Sequence, residues 1–367
     1  MSSQTFAGRN PHYDSRMGKD GSMSSKRATL ADVARLAGLS SSAASMILNG
    51  RPDTRLSQDA HDRVNAAAQA LGYRPNVAAR GLRTDKTLTI GFISDVVATT
   101  RFASGLIKGA LEAAEAAGHV VLVLETGGDP AREAEAIAAV LDRQVDGVIF
   151  ATMRARELFV PDIPASTAVV MLNATNPRYS TSVLPDEMAG GLEAVRLLVE
   201  NGHREGIALL GQNDEVERDA FRSATVARRV SGIRQGMAEA GLRFVAEESI
   251  WLWEPDEGYQ ATRALLERGD DVRALLCMND RIAFGAYQAL AEAGLRVPED
   301  VSIVSFDNDE LAAYLRPGLT TVGLPHETMG RRAVELLLSG ETSGEVLVPM
   351  PVVQRASIRS LNHGTLS

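Results

Sequence analysis

Cysteine occurs once in the 367 residues, at Cys277, so no internal disulfide can form. Its neighbours Leu275, Leu276 and Met278 make it a buried strand residue rather than a nucleophile. No apolar run approaches the roughly 20 residues that a membrane-crossing helix needs. Residues 1–27 are polar and rich in serine and glycine. They lack the apolar core of a signal peptide, which points to the cytoplasm, and they lack periodicity, which predicts a disordered tail. Chemical motifs are missing too. There is no glycine-rich phosphate loop with a lysine, no His/Cys cluster at metal-ligand spacing and no Gly-x-Ser-x-Gly elbow. Catalysis, a metal and a resident cofactor are therefore not expected. His119 and His203 follow glycines at helix ends and read as caps or surface residues.

Charge is unevenly spread. The whole chain carries −9, yet residues 24–87 hold ten basic and five acidic side chains, a local net of +5. A basic head suits the phosphates of a nucleic acid, and an acidic body stays off them. The length allows a small module plus a larger two-lobed body.

The basic stretch reads as short helices and a hinge. Thr29 caps a first helix whose apolar face is Leu30, Val33, Ala34 and Ala37, with Asp32 in the first turn. Gly38 is the natural left-handed turn residue. Ser40 caps a second helix over 41–48, ended by Asn49-Gly50, and Ser57 caps a third with Val64, Ala67, Ala68 and Leu71 at core spacing. Helix, short turn, helix is the arrangement that lays a second helix in a DNA major groove.

The run from Thr29 reads T-L-x-D-V-A-x-x-A-G-x-S, followed by S-x-x-L-N-G from Ser45 and A-x-x-L-G-Y-x-P-N-x-x-A-R-x-L-R-T from Ala68. This ordering resembles the LacI family of bacterial transcription regulators. The resemblance implies a helix-turn-helix domain over 28–74, a hinge over 75–87, an effector-binding and dimerisation body over 88–360 and a short tail over 361–367. It also implies that Ser41, Ser42 and Met46 face base edges. Serine donates or accepts, and methionine can touch a thymine methyl. Family members often carry arginine where Met46 stands, so no operator sequence is assigned. Thr29, Ser40, Ser45, Asn49 and Arg51 are candidates for contacts to the DNA backbone, which position without specifying. In the hinge, Asn76 and Arg80 join them. The hinge is too short to be a stable helix alone, since isolated helices below about 12 residues are marginal. It is expected to become helical on DNA. By resemblance, Leu82 is the wedge that unstacks a base step in the minor groove.

After Thr87 the texture becomes α/β. Apolar strands at 88–94, 120–125, 148–151 and 167–172 alternate with helices, and a second series follows at 207–210, 249–253, 274–278 and 302–306. The tail segments 321–324, 326–338 and 346–353 complete the lobes. Such alternation gives two doubly wound parallel-sheet lobes, and ligands bind beyond the carboxyl ends of their strands. By resemblance this is the periplasmic binding protein-like architecture.

Asp307 and the Asn279-Asp280 pair follow strands in that way. By resemblance, Arg229 matches an arginine that holds sugar hydroxyls and Trp253 an aromatic on which a sugar ring stacks. Phe102 and Asp186 are further effector candidates. Where a relative lines the cleft with glutamine, this chain has Leu324-Pro325, a more apolar floor. The expected function is a repressor of carbohydrate uptake or catabolism genes, released from a near-palindromic operator in double-stranded DNA by a sugar-type effector. The alternatives are a corepressor-dependent regulator with a non-sugar ligand, or an activator. Residues 354–367 lack a leucine heptad, so a homodimer through the body is expected rather than a coiled-coil tetramer.

Overall fold

The computed structural model describes residues 28–49, 56–74, 86–342 and 344–361. The chain divides into two units after residue 80. Arg51, Asn76, Arg80 and Leu82, and with them nearly all of the expected hinge, lie outside the described residues.

The head holds α1 (Leu30–Ala37), α2 (Ser41–Leu48) and α3 (Gln58–Ala70). Each begins where a hydroxyl caps it. The Thr29 side chain accepts from the Asp32 amide while Asp32 returns a bond to the Thr29 amide, a reciprocal capping box. Ser40 and Ser57 accept from the amides of Ala43 and Ala60. Gly38 ends α1 in the left-handed region at φ 66°. The core is small: Val33, Ala34, Ala44, Ile47, Val64 and Ala67, with Leu30, Leu48 and Tyr73 packed on it. Arg63 reaches back to the Ala37 carbonyl at 3.0 Å and so pins α3 to the end of α1.

The body begins with β1 (Thr89–Ser94), α4 (Ser104–Ala116), β2 (Val120–Glu125), α5 (Pro130–Asp142), β3 (Gly147–Glu157), β4 (Ala168–Thr175) and β5 (Ser182–Pro185). It continues with α6 (Glu187–Glu200), β6 (Ile207–Gln212), α7 (Asp214–Arg218), α8 (Val226–Glu239), β7 (Ala246–Ser249), α9 (Pro255–Arg268), β8 (Ala274–Cys277) and α10 (Asp280–Glu292). It closes with β9 (Ser302–Asp307), α11 (Glu310–Tyr314), β10 (Thr320–Gly323), α12 (His326–Ser339), β11 (Glu345–Val348) and β12 (Val352–Val353). The strands form two six-stranded sheets, ordered β11-β5-β4-β3-β1-β2 and β12-β10-β9-β8-β6-β7. All pairings are parallel except β10 with β12. Both sheets are covered on two faces, which is why their central strands are continuous apolar runs.

The chain crosses between the lobes after β5, after β10 and after β11. Three expectations are corrected here. The strand expected over 346–353 is two strands in different sheets, separated at Pro349 and Pro351, which lack the amide hydrogens a ladder needs. The strand expected over 249–253 is β7, which ends at Ser249; the run Ile250–Trp253 lies beyond it. β3 continues past Ala151 to Glu157 through a register shift.

Helices within each lobe approach closely through paired glycines. A Cβ on Gly109 would meet the Glu327 carbonyl oxygen at 1.9 Å, and one on Gly330 would meet that of Leu106 at 2.0 Å, so α4 and α12 cross backbone to backbone. Gly191 and Gly232 do the same for α6 and α8, and Gly258 and Gly285 for α9 and α10.

Candidate functional site

The close crossing of α6 and α8 sets the site in the second lobe. Glu187 lies one turn before Gly191, and Arg229 lies three residues before Gly232. Bringing the glycines together places these two side chains side by side. Arg229 Nε and Nη2 donate to the two Glu187 carboxylate oxygens at 2.6 and 2.8 Å. Nη1 donates to the Met278 carbonyl at 2.5 Å, and Asp307 Oδ1 stands 3.5 Å from Nη2. The guanidinium also lies 4.4 Å from the centre of the Phe306 ring and 5.8 Å from that of Trp253. Arg229 and Glu187 are both buried.

The backbone at the end of β9 aims Asp307 into this cluster. Asp307 and Asn308 have φ of 101° and 56°, conformations that non-glycine residues avoid. Arg355 donates to Asn308 Oδ1 at 2.8 Å, and the Asn308 amide donates to Thr321 Oγ1, holding the turn. Burial pushes the Asp307 carboxyl up to about 7, against the pull of Arg229 and with the charges of Asp280 and Glu187 adding to the rise. Asp280 rises to about 6 through burial, moderated by bonds from Ser305 and the Asp309 amide. Arg229 stays charged: its own burial opposes the charge, and Glu187 and Asp307 outweigh it.

Asn279 caps α10 by accepting from the Ile282 amide at 2.8 Å, and its Nδ2 donates to the Trp253 carbonyl at 3.2 Å. The Trp253 indole donates to the Gly211 carbonyl at 2.9 Å. Both bonds tie the ring to the carboxyl ends of β6 and β8, the place where the second sheet's connections diverge and a crevice forms.

Arg229, Trp253, Asn279, Asp280 and Asp307 are thus brought together. Asp186 and Phe102 are not part of that cluster. Asp186 caps α6 through the Ala189 amide. Phe102 meets the His326 ring edge to face, centroids 5.2 Å apart, in a cavity of about 410 Å³ that Arg101, Leu324, Pro325 and Pro351 also line. Arg101 is paired across the lobes with Glu310. His326 is buried and its Nε2 has no partner among the described residues. Burial lowers it to about 4, so it is neutral near pH 7. Glu187 and His326 escaped the sequence reading. A glutamate in a first helical turn looks like an ordinary helix-dipole residue, and nothing near Glu187 announces a partner 42 residues away. Of the histidines expected as caps or surface residues, His203 is buried and His119 is half-buried. His203 Nε2 contacts the Arg359 carbonyl and His119 Nε2 lies 3.4 Å from Asp146, contacts that only the folded chain supplies.

In the head, the exposed hydroxyls of Ser41 and Ser42 open α2, and Met46 is half-buried one turn on. The hydroxyls of Thr29 and Ser40 serve as caps. Asn49 Nδ2 turns back to the Ser45 carbonyl at 2.6 Å and to its hydroxyl at 3.2 Å.

Comparison with known proteins matches both units. The family described as bacterial regulatory proteins, lacI family, matches residues 29–76, and a periplasmic binding protein-like domain matches 195–358. The chain is 31% identical over 350 residues to the HTH-type transcriptional repressor PurR of Vibrio atlanticus (strain LGP32), covering 91% of this chain and 100% of that protein. PurR of Vibrio campbellii (strain ATCC BAA-1116) is 30% identical over 351 residues, with 91% and 100% covered. Among solved structures, the lac repressor dimer bound to operator and the anti-inducer ONPF aligns with a TM-score of 0.71 at 27% identity, over 91% of this chain and 100% of that one. The complex of the transcriptional regulator CelR with cellobiose aligns at 0.58 and 26% identity, over 90% and 100%.

Proposed function

We infer the function from one premise: the chain belongs to the lacI family of bacterial regulatory proteins. It is a DNA-binding transcriptional repressor of that family. We propose that it works in the cytoplasm as a homodimer on a near-palindromic operator. Ser41, Ser42 and Met46 read base edges, and Thr29, Ser40, Ser45, Asn49 and Arg51 seat the head on the backbone. Asn76, Arg80 and Leu82 act in the hinge. An effector in the body shifts the lobes, the hinge helices melt and operator affinity falls. Such a shift requires the effector to bind the two states with different affinity. Exposed Leu311 and Tyr314 on α11, and exposed Val120 at the edge strand β2, support a dimer through the body.

We propose a sugar-type effector. The observation that carries this reading is the cluster of Arg229, Asp307 and Asn279 beside the Trp253 indole, polar forks around a flat apolar face. The CelR complex with cellobiose supports it. A second reading, a corepressor-type ligand that is not a sugar, is favoured by the relatives named PurR. A thermal-shift screen of sugars against nucleobases separates the two. For the hinge, Leu82→Asp should abolish the electrophoretic shift of a selected palindromic site while ligand binding persists; full-affinity specific binding by that variant sinks the claim.

A further inference from the structure

Ligand crevices of a parallel sheet lie at its carboxyl edge. The opposite edge of the first sheet is where β1, β2 and β3 begin, and there the chain enters the body. It arrives through Thr87 and joins β1 at Thr89. Between them Leu88 has φ 54°, a conformation that a bulky apolar residue avoids. Such strain persists only where the surroundings over-determine it.

One carboxylate supplies most of that hold. Asp146, just before β3, accepts at Oδ1 from the Thr87 amide at 2.6 Å and at Oδ2 from the Leu88 amide at 3.0 Å. The Thr87 hydroxyl lies 3.1 Å from Oδ1 and 3.0 Å from the Gln144 carbonyl, two acceptors for its hydrogen. The Asp146 amide donates back to the Thr89 carbonyl at 2.8 Å. From the other side the Val120 amide, at the start of β2, donates to the Leu88 carbonyl at 2.8 Å. His119 covers the carboxylate. Its Nδ1 faces the Ala117 carbonyl at 2.9 Å, which can only accept, so that nitrogen carries a hydrogen. Its Nε2 stands 3.4 Å from Asp146 Oδ2, and the two side chains are only 9% and 11% exposed.

This clasp does more than start a strand. Ladder pairing holds β1 from Thr89 and Ile90 onward. The carboxylate reaches the two residues before the ladder, and hydrogen bonds to an ionised acceptor are the stronger kind. The head precedes those residues in the chain, so its covalent tether arrives through them. Released, Leu88 relaxes toward negative φ and the direction of everything before it changes. We propose that Asp146 is a positioning residue for operator binding: by clasping Thr87 and Leu88 it fixes the direction in which the chain leaves the first lobe toward the head, and so the spacing of half-sites that a dimer engages. The proposal rests on the reading that the protein binds its operator as a homodimer.

The test uses the full chain and a palindromic duplex that the wild type selects from random DNA. Versions with the centre one base pair longer or shorter, and a single half-site, are measured beside it by electrophoretic shift at one salt concentration. Asp146→Asn keeps the shape but leaves one oxygen for two amides. Thr87→Val keeps the branched side chain and removes its hydroxyl. Wild type should prefer its own spacing. D146N should bind the selected duplex about tenfold or more weakly, bind the half-site like wild type, and prefer that spacing less by the same factor. T87V should lose about three- to fivefold in the same way, and it decides the matter if D146N does not fold. A role in folding alone lowers binding to every duplex equally. Equal losses on half-site and palindrome, or a spacing preference that both variants keep, overturn the proposal alone. A wild type indifferent to spacing overturns the homodimer reading and the proposal with it.

Discussion

Replacing Glu187 by glutamine keeps the shape of the side chain and deletes its charge. Arg229 then loses a two-pronged carboxylate partner at 2.6 and 2.8 Å, in a site where both residues are buried. Breaking a buried pair by removing one partner costs about 3–5 kcal/mol. The loss should fall at the low end because Asp307 stands 3.5 Å away. In the wild type Asp307 resists ionisation, held up to about 7 by burial and the charges of Asp280 and Glu187. Without Glu187 the repulsion falls and Arg229 is undivided, so Asp307 ionises in its place. A loss of about 3 kcal/mol, at roughly 2–4 °C per kcal/mol for a domain of ~150–250 residues, lowers Tm by about 6–12 °C. The pH dependence gives a second readout. Between about pH 4 and 7 the folded wild type holds a proton on Asp307 that the unfolded chain releases. That group therefore makes stability fall as pH rises through the window and leaves it flat above. A carboxyl moved from 3.8 to about 7 ties on the order of 4 kcal/mol to this slope. In Glu187→Gln the slope should shrink. The double variant with Asp307→Asn should lose more than the single changes summed, since Arg229 then has no carboxylate. Thermal unfolding followed by circular dichroism from pH 4 to 8 measures all of this. If Glu187→Gln melts within about 0.5 kcal/mol of wild type with an unchanged slope, the ordinary range for a surface change, the pair does not hold Arg229 and the reasoning fails.

Two further substitutions test the body. His326→Phe removes a buried Nε2 that has no partner among the described residues while keeping a ring against Phe102. It also removes the ring's hydrogen bond to the Phe102 backbone, worth about 1 kcal/mol, which offsets part of the desolvation penalty of about 1–3 kcal/mol for an unpaired buried group. The net gain should be up to about 1–2 kcal/mol. Because burial lowers His326 to about 4, the unfolded chain takes up a proton first as pH falls below about 6.5, and wild-type stability drops there. The gain in His326→Phe should therefore be larger at pH 5 than at pH 8; a loss at both speaks against it. Gly330→Ala places a Cβ 2.0 Å from the Leu106 carbonyl oxygen and should destabilise the first lobe by about 1–3 kcal/mol or more. An unchanged melting curve means that α4 and α12 are not in backbone contact.

What the sequence made legible was decided within a few residues. Thr29, Ser40 and Ser57 all cap helices, because a cap depends on a hydroxyl and an amide three positions on. The helix over Glu187–Glu200 starts at the Asp186 cap and ends at Asn201, both local signals. The strands of the parallel sheets were legible as apolar runs, and the misreadings occur where that signal misleads. Ile250–Trp253 is apolar yet lies beyond its strand, with the indole of Trp253 bonded to Gly211 instead. Met153–Glu157 is largely polar yet continues β3, whose partner there is β4 at Ala174 and Thr175. The cluster around Arg229 was legible by halves: residues read at strand ends lie in it, and Glu187, which also lies in it, was not read. That gap has a physical cause. A charge shows its partner only once two helices touch, and here a crossing of two glycines decides which charges meet. Yet the glycines themselves were a readable sign. Glycine inside a helix weakens it by up to about 1 kcal/mol relative to alanine. Gly109, Gly191, Gly232, Gly258, Gly285 and Gly330 all stand within helices, and each faces a carbonyl oxygen of its partner helix where a Cβ could not fit. Six such positions argue that backbones meet there. Pairing them across the chain would have placed α6 on α8, and with that crossing the carboxylate of Glu187 falls beside Arg229.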